Sequence, residues 1–538
     1  MSVSNYLLPV EYFCKKSLEC GHLIESRQFA EYLNNNDELK YTRQEFHYPK
    51  NKALLEVDLN IVNGEDECIY FCGNSLGLCP KSLKSIVDEE LAKWQECGQQ
   101  GRYYGKRPWE HIDAFVIDQL AALVGAKPIE VVSMDSLTTN LHLLMVPFYR
   151  PTLSRHKILF EEGCFPSDRV IIESQICSHG YDPKTSMIQA APREVIIESQ
   201  ICSHGYDPKT SMIQAAPREF LGVQYRTGQF FDLQAITEAG HRKGCKVGFD
   251  LAHAVGNVEL KLHDWNVDFA AWCTYKYLNA GPGGIGGLFI HEKYAFDKDL
   301  KRYSGWWGVE FKERFQMDNK YERAITVNWL PCGTQDIPGN DYNLPLIPGA
   351  RGFVLSNPCV LAVASLISAL EIFHKVGLEK VIKKQRLLTG YLEYLIKRNF
   401  SPGTNSCSNY SGIFIDIITP EDVKSRGSQL SLIFSSNATE IYTEVKKRGV
   451  VCDFRQPNVM RVAPAPLYNS FVDVHKFIDA LTQILLDADR FCFMLDDFVC
   501  SFNSICMTCM YKKDCVFLDS INQGLSNKAR GLITEAKD

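Results

Sequence analysis

Long apolar runs are missing from this 538-residue sequence. None reaches the roughly 18 residues that would span a bilayer, and the longest, Val360 to Phe373, is broken by serines and a glutamate before it meets His374. It reads as a core helix. A surplus of positive charge is also missing. Lys and Arg number 58 against 64 Asp and Glu, a formal charge of -6, so there is no basic field to draw in a phosphate backbone and nucleic acid is not an expected partner. The N-terminus, MSVSNYLLPVEYFCKK, lacks a basic region followed by an apolar one, so secretion is not expected. The 20 cysteines are scattered rather than framed for disulfides, and they are expected to be reduced thiols in a cytoplasmic protein. No metal site is expected either. The single Cys-x-x-Cys, Cys506 to Cys509, stands with Cys492, Cys500 and Cys515 in the tail, without a second pair or histidines at zinc spacing.

What is present is ordinary globular material, 45% hydrophobic and 23% charged, which is enough to bury a sizeable core. The length suits two or three packed domains or one large α/β enzyme with an appendage. Residues 1–65 read as an N-terminal arm. From residue 66 to about 350, short β-branched or aromatic runs alternate with helical patterns and Gly-rich turns, which predicts a mostly parallel sheet covered by helices. Residues 351–489 read as a smaller α+β domain and 490–538 as an atypical tail.

Two stretches break this texture. Val170 to Glu194 recurs without a change as Val195 to Glu219, which marks a duplication or an assembly error rather than a solenoid. Residues 321–343, ending in NWLPCGTQDIPGNDYN, are rich in turn formers and read as an insert.

The chemistry concentrates between CKVGFDLAHAVGN and DFAAWCTYKYLNAGPGGIGG. A buried strand, Lys246 to Phe249, is expected to deliver Asp250 to the carboxyl edge of the sheet, where ligands of open α/β folds bind. A second strand, Phe269 to Thr274, is expected to deliver Tyr275 and Lys276 to the same edge, followed by glycines that permit close backbone approach. An amine that attacks a carbonyl, paired with a carboxylate that keeps a pyridine nitrogen protonated, is what a pyridoxal phosphate enzyme requires. Alone, Lys276 would read as a solvated loop charge and Asp250 as a helix cap. In SMDSLTTNLHLLM, Asp135 and Ser136 are good caps for a helix starting near Leu137 and Thr138, whose free N–H groups suit a phosphate. In CFPSD, Phe165 is placed to cover a ring while Ser167 and Asp168 supply hydrogen bonds.

The segments GNSLGL (73–78), GKRPW (105–109), LTTNLHLLM (137–145), FPSD (165–168), GFDLAHAVGNVEL (248–260), YKYLNAG (275–281) and RVAPAPLYNSF (461–471) resemble the kynureninases. The resemblance covers most of residues 10–490. It implies the fold type I architecture of aspartate-aminotransferase-like enzymes, a homodimer with sites at the subunit interface, and a cytoplasmic role in tryptophan breakdown and pyridine nucleotide synthesis. The implied reaction is hydrolytic cleavage of kynurenine or 3-hydroxykynurenine to an anthranilate and alanine. By the same resemblance Lys276 carries the cofactor, Asp250 meets its ring nitrogen, and Tyr275 serves as proton carrier. Leu137, Thr138, Phe165, Pro166, Ser167, Asp168, His253, Trp306 and Asn357 match cofactor contacts. Ser75, Asn357 and Arg461 match the substrate side, with Arg461 gripping the α-carboxylate through its planar fork.

Departures accompany the match. Arg102 stands where the family often has a histidine, exchanging a titratable ring for a permanent cation. Leu221 falls where a cofactor-contacting serine is expected. The second copy of the duplication lies where the family has a helix and a further strand, so a central strand is expected to be missing. Two alternatives follow, a cysteine desulfurase or selenocysteine lyase on the same fold, and an inactive or misassembled chain.

Overall fold

The computed structural model describes residues 8–190, 216–297, 299–314, 346–402 and 412–487. The insert 321–343, the Cys-rich tail from 490 and most of the second repeat copy lie outside the described residues.

Leading out of the arm, β1 (Ile69–Tyr70) precedes the main sheet. That sheet comprises β2 (Val131–Ser133), β3 (Ile158–Glu161), β4 (Met187–Ala190), β5 (Ala216–Leu221), β6 (Val247–Asp250), β7 (Phe269–Trp272) and β8 (Gly287–Ile290). The spatial order is β2-β8-β7-β6-β5-β3-β4. Strands β3 to β7 run parallel, while β8 is antiparallel to both β7 and β2. Because β8 reverses twice, β2 points the same way as the parallel set. The carboxyl ends of β2, β3, β5, β6 and β7 therefore open on one edge, and β8 starts there.

Strands β6, β7 and β8 are buried at every position, as their near-continuous apolar text requires of strands covered on both faces. The pleat sorts their side chains two ways. Phe269 and Ala271 join a core with Phe148 of the Leu137–Phe148 helix, whose ring stacks on Phe269 at 4.7 Å. Ala270 and Trp272 face the opposite core, which Leu233 and Ile236 of the Leu233–Arg242 helix share with Val247 and Phe249.

The C-terminal part carries β9 (Ile415–Ile417), β10 (Leu430–Phe434), β11 (Val450–Val451), β12 (Asp453–Arg455) and β13 (Val459–Val462). An antiparallel sheet runs β12-β13-β10-β9, and β11 pairs in parallel with β1. The run expected to be a core helix is Val360–Val376, with ten buried residues. No single described helix is long and apolar enough to cross a membrane. The arm does not stand apart: Phe13 and Phe29 share a core with Leu388, Tyr391 and Leu395 of the Leu378–Phe400 helix, Phe13 meeting the Tyr391 ring edge-on at 5.5 Å.

One expectation is overturned. The central strand is present, because Ala216–Leu221 occupies the place beside the cofactor-side strand as β5, hydrogen-bonded between β3 and β6. Its first four residues close the second repeat copy, and Phe220 and Leu221 extend it. The described part of the first copy, residues 170–190, forms most of the Pro166–Ser178 helix, a short turn and edge strand β4.

Candidate active site

Strand β6 ends in Asp250, buried to 3% exposure, as the reading of GFDLAHA requires. Its Oδ1 accepts the Ala252 N–H at 2.7 Å, so it caps a turn and not a helix. Burial pushes the Asp250 carboxyl above its ordinary range; Lys276, the Ala252 N–H and a hydrogen bond with Asp168 oppose that push. The charge of the amine expected to work with this acid therefore reaches it.

Strand β7 stops at Trp272, two residues earlier than expected. Thr274 donates its hydroxyl to the Ile285 carbonyl at 2.6 Å and accepts the Ala280 N–H at 3.0 Å, which folds the chain into a turn presenting Tyr275 and Lys276. Lys276 Nζ lies 5.9 Å from the Tyr275 ring centre. Burial and the neighbouring Cys273 thiol raise the Tyr275 phenol, which stays protonated at neutral pH. The GNSLG turn docks on this one: Gly77 N–H donates to the Tyr275 carbonyl at 2.8 Å, and a Cβ at Gly77 would lie 2.3 Å from the Lys276 carbonyl oxygen. Ser75 sits in that turn and hydrogen-bonds the Cys72 side chain.

Two helix starts converge on the same edge. Ser136 caps the Leu137–Phe148 helix by accepting the Thr139 N–H at 3.4 Å, as its sequence position implied. Phe165 is the cap residue of the Pro166–Ser178 helix, with Pro166 in its first turn. The hydroxyls of Thr138 and Ser167 are 3.1 Å apart, so the two positive helix ends meet. Phe165 is 40% exposed and touches Tyr225 edge-on at 5.4 Å. Leu221 ends β5 with its backbone opposite Asp250.

His253 follows Asp250 and is fully enclosed. Burial first, then the charges of Lys276, Arg461 and Arg455, hold its imidazole neutral, and its Nδ1 has no hydrogen-bond partner among the described residues. Arg461 on β13 is buried to 1%, donates to the Tyr225 carbonyl at 2.8 Å and pairs with Asp453. Tyr225 was not marked in the sequence, because its contact to Arg461 joins remote segments; Asp453 was not marked either, although the neighbouring strand places it directly opposite Arg461. Asn357 lines, with Arg102, Trp94, Trp109, Glu110 and Trp307, a cavity of about 320 Å³. Trp306 is the neighbour of Trp307, 46% exposed, and donates its indole N–H to the Arg314 carbonyl. Asn357 thus lines this cavity and Trp306 does not, whereas the other candidates gather around Lys276, Asp250 and Arg461.

Residues 382–481 match the kynureninase C-terminal domain model and residues 210–305 the aminotransferase class-V model. A kynureninase of Nematostella vectensis is 47% identical over 458 residues, 85% of this chain and 94% of the relative. The Homo sapiens kynureninase is 45% identical over 490 residues, 91% and 99% of the two chains. The chain belongs to the kynureninase family. Solved structures with the same fold include the Escherichia coli cysteine desulfurase CsdA, with a TM-score of 0.58 at 14% identity over 83% of this chain and 98% of that one. Another is the lyase C-DES with glycine linked to its pyridoxal phosphate, with a TM-score of 0.57 at 16% identity over 79% and 99%. At such identities the likeness concerns the fold, that of type I pyridoxal phosphate enzymes. Kynureninases are pyridoxal phosphate enzymes, and the residues here fit that group. A buried acid faces an amine, paired helix starts offer N–H groups and hydroxyls to a phosphate, and a neutral imidazole keeps a nitrogen without a partner.

Proposed function

We propose that this kynureninase-family enzyme hydrolyses the Cβ–Cγ bond of L-kynurenine or 3-hydroxy-L-kynurenine, releasing anthranilate or 3-hydroxyanthranilate and L-alanine in tryptophan catabolism. The observation that carries the reading is the placement of Asp250 at the end of β6 and of Lys276 in the turn after β7, at the same carboxyl edge of the sheet, in a chain 40–47% identical to kynureninases along most of its length.

Pyridoxal phosphate, when bound, supplies an aldehyde carbon for an amine and a ring that withdraws electrons from the substrate. In this reading Lys276 Nζ would hold the cofactor through that carbon, and its amine would move the proton of the substrate Cα. Asp250 keeps a proton on the ring nitrogen, a task helped by its burial away from competing water. Leu137, Thr138 and Ser167 would hold the phosphate at the converging helix ends, and Phe165, Pro166 and His253 would contact the ring. Asp168 favours the charged form of Asp250. Tyr275 gives and takes a proton at its phenol oxygen as water adds to the γ-carbonyl. Arg461 binds the α-carboxylate beside Ser75, and Asn357 and Trp306 shape the end that receives the aromatic ring. A homodimer in the cytoplasm belongs to the same reading. The exposed Trp94, Tyr104 and Trp306 support it as apolar surface for a second subunit to cover, and the free state of all described cysteines fits a reducing compartment.

The desulfurase alternative has less support, since the desulfurase relationship is one of fold alone. The test is an absorbance titration with pyridoxal phosphate followed by L-kynurenine turnover. Lys276→Ala is expected to lose both the long-wavelength band of lysine-bound cofactor and turnover. A Lys276→Ala protein that kept that band would end the assignment.

A further inference from the structure

We propose that Arg455 governs how tightly Arg461 takes the substrate α-carboxylate, by drawing Asp453 away from it; this rests on the reading of Arg461 given above. Strands β12 and β13 set Asp453 directly opposite Arg461. One carboxylate oxygen, Asp453 Oδ2, pairs with Nη2 of Arg461 and, at 2.9 Å, with Nη2 of Arg455. Two permanent cations thus share one anion, and one positive charge is left over. The unspent hydrogen-bonding capacity lies on the same two groups. The Nε atoms of Arg455 and Arg461 are both buried without an acceptor among the described residues, so each keeps a donor free for water or a ligand.

Arg455 faces the cleft that holds the other candidates. Its guanidinium lies 5.9 Å from the centre of the Tyr225 ring, which touches Phe165 and whose backbone carbonyl receives Arg461. Arg455 and Arg461 together act on the charge states of His253 and of Cys72, the thiol bonded to Ser75. An incoming monocarboxylate completes the balance of two cations and two anions, taking Arg461 while Asp453 passes to Arg455. Without the Arg455 charge, Asp453 pairs undivided with Arg461, and an arriving carboxylate meets a neutral pair.

The experiment uses the cofactor-loaded full chain and two probes. These are the KM for L-kynurenine and calorimetric binding of L-alanine compared with alaninamide, which lacks the negative charge. Arg455→Gln is expected to raise KM and weaken L-alanine by about tenfold or more, the size of one charge-assisted hydrogen bond, with the loss falling mainly on KM. Arg455→Lys, which retains the charge, is expected to stay within about threefold. Adding Asp453→Asn to Arg455→Gln is expected to recover most of the loss, a rescue that a merely structural role of Arg455 would not produce. Should Arg455→Gln fail to fold, Asp453→Asn alone decides: removing the competitor is expected to tighten L-alanine, and weaker binding overturns the proposal. Unchanged KM and L-alanine affinity in Arg455→Gln, or a double variant no better than the single one, also overturns it. If the unmodified enzyme fails to cleave kynurenine yet binds L-alanine through Arg455, the reaction assignment falls and this proposal stands. If it binds alaninamide as well as L-alanine, the carboxylate role of Arg461 falls and takes the proposal with it.

Discussion

Asp250 and Asp268 lie at opposite ends of neighbouring strands, and their surroundings prepare them for different work. Asp250 ends β6 where burial raises its pKa and Lys276 only partly compensates. Asp268, just before β7, is also buried, and burial alone would raise it; here His241 at 2.8 Å, Lys293 at 2.8 Å and the Tyr294 hydroxyl outweigh that and hold it well below the usual carboxylate range. It also accepts the Val247 N–H at 2.7 Å, tying β6 to β7 at the edge away from the active site. A folded-state pKa below the unfolded one means that the charged form stabilises the fold above the unfolded value near 4, and that this stabilisation fades as pH falls below it. Asp268→Asn is therefore expected to cost about 3 kcal/mol at pH 7. Urea midpoints of the two proteins should keep their full separation down to about pH 5 and draw together progressively as pH falls below about 4. Convergence already at about pH 6, or no narrowing at all between about pH 4 and pH 2, would refute the assignment. Asp250 was legible in the sequence because its strand and turn carry a local pattern. Asp268 was not, since His241 and Lys293 reach it from distant segments.

At the scale of elements, the active site is an agreement among turns. Helix starts are the easiest part to read: Ser136 and the Phe165–Pro166 pair announce their caps locally, and the structure places both at the expected edge. The docking of the GNSLG turn onto the Tyr275–Lys276 turn is harder, because nothing within either segment states that they meet. Gly77 records the meeting. Its φ is not in the left-handed region, so the glycine is needed for space: a Cβ would stand 2.2 Å from Asn279 Oδ1 and 2.3 Å from the Lys276 carbonyl oxygen. Gly77→Ala is expected to force the turns apart, costing about 1–3 kcal/mol as an overpacked contact does. Because the strain falls on the Lys276 backbone, the variant should also bind pyridoxal phosphate more weakly. Thermal melting and a cofactor titration check the two parts. A lowered melting point with unchanged cofactor affinity would mean that the contact is structural only.

For the whole molecule, the repeat that looks like an error in the sequence has a topological consequence. Strands β4 and β5 lie on opposite sides of β3, both parallel to it. Joining parallel strands takes a dozen or more residues, and residues 191–215 separate these two in the sequence. Deleting either copy of the repeat gives one and the same sequence, in which MIQA of β4 runs directly into APREFL of β5. No connection then remains, and one stretch of chain cannot occupy both sides of β3. If it stays as β4, Asp250 loses the neighbouring strand that pairs with β6. If it moves to the β5 position, β3 becomes the edge and exposes the unpaired backbone groups that β4 now satisfies. The single-copy protein is therefore expected to unfold at lower denaturant and bind pyridoxal phosphate more weakly than the full chain. Parallel urea and cofactor titrations of the two proteins measure this. Equal stability and equal affinity would show that the second copy is dispensable and that the strand beside Asp250 forms without it.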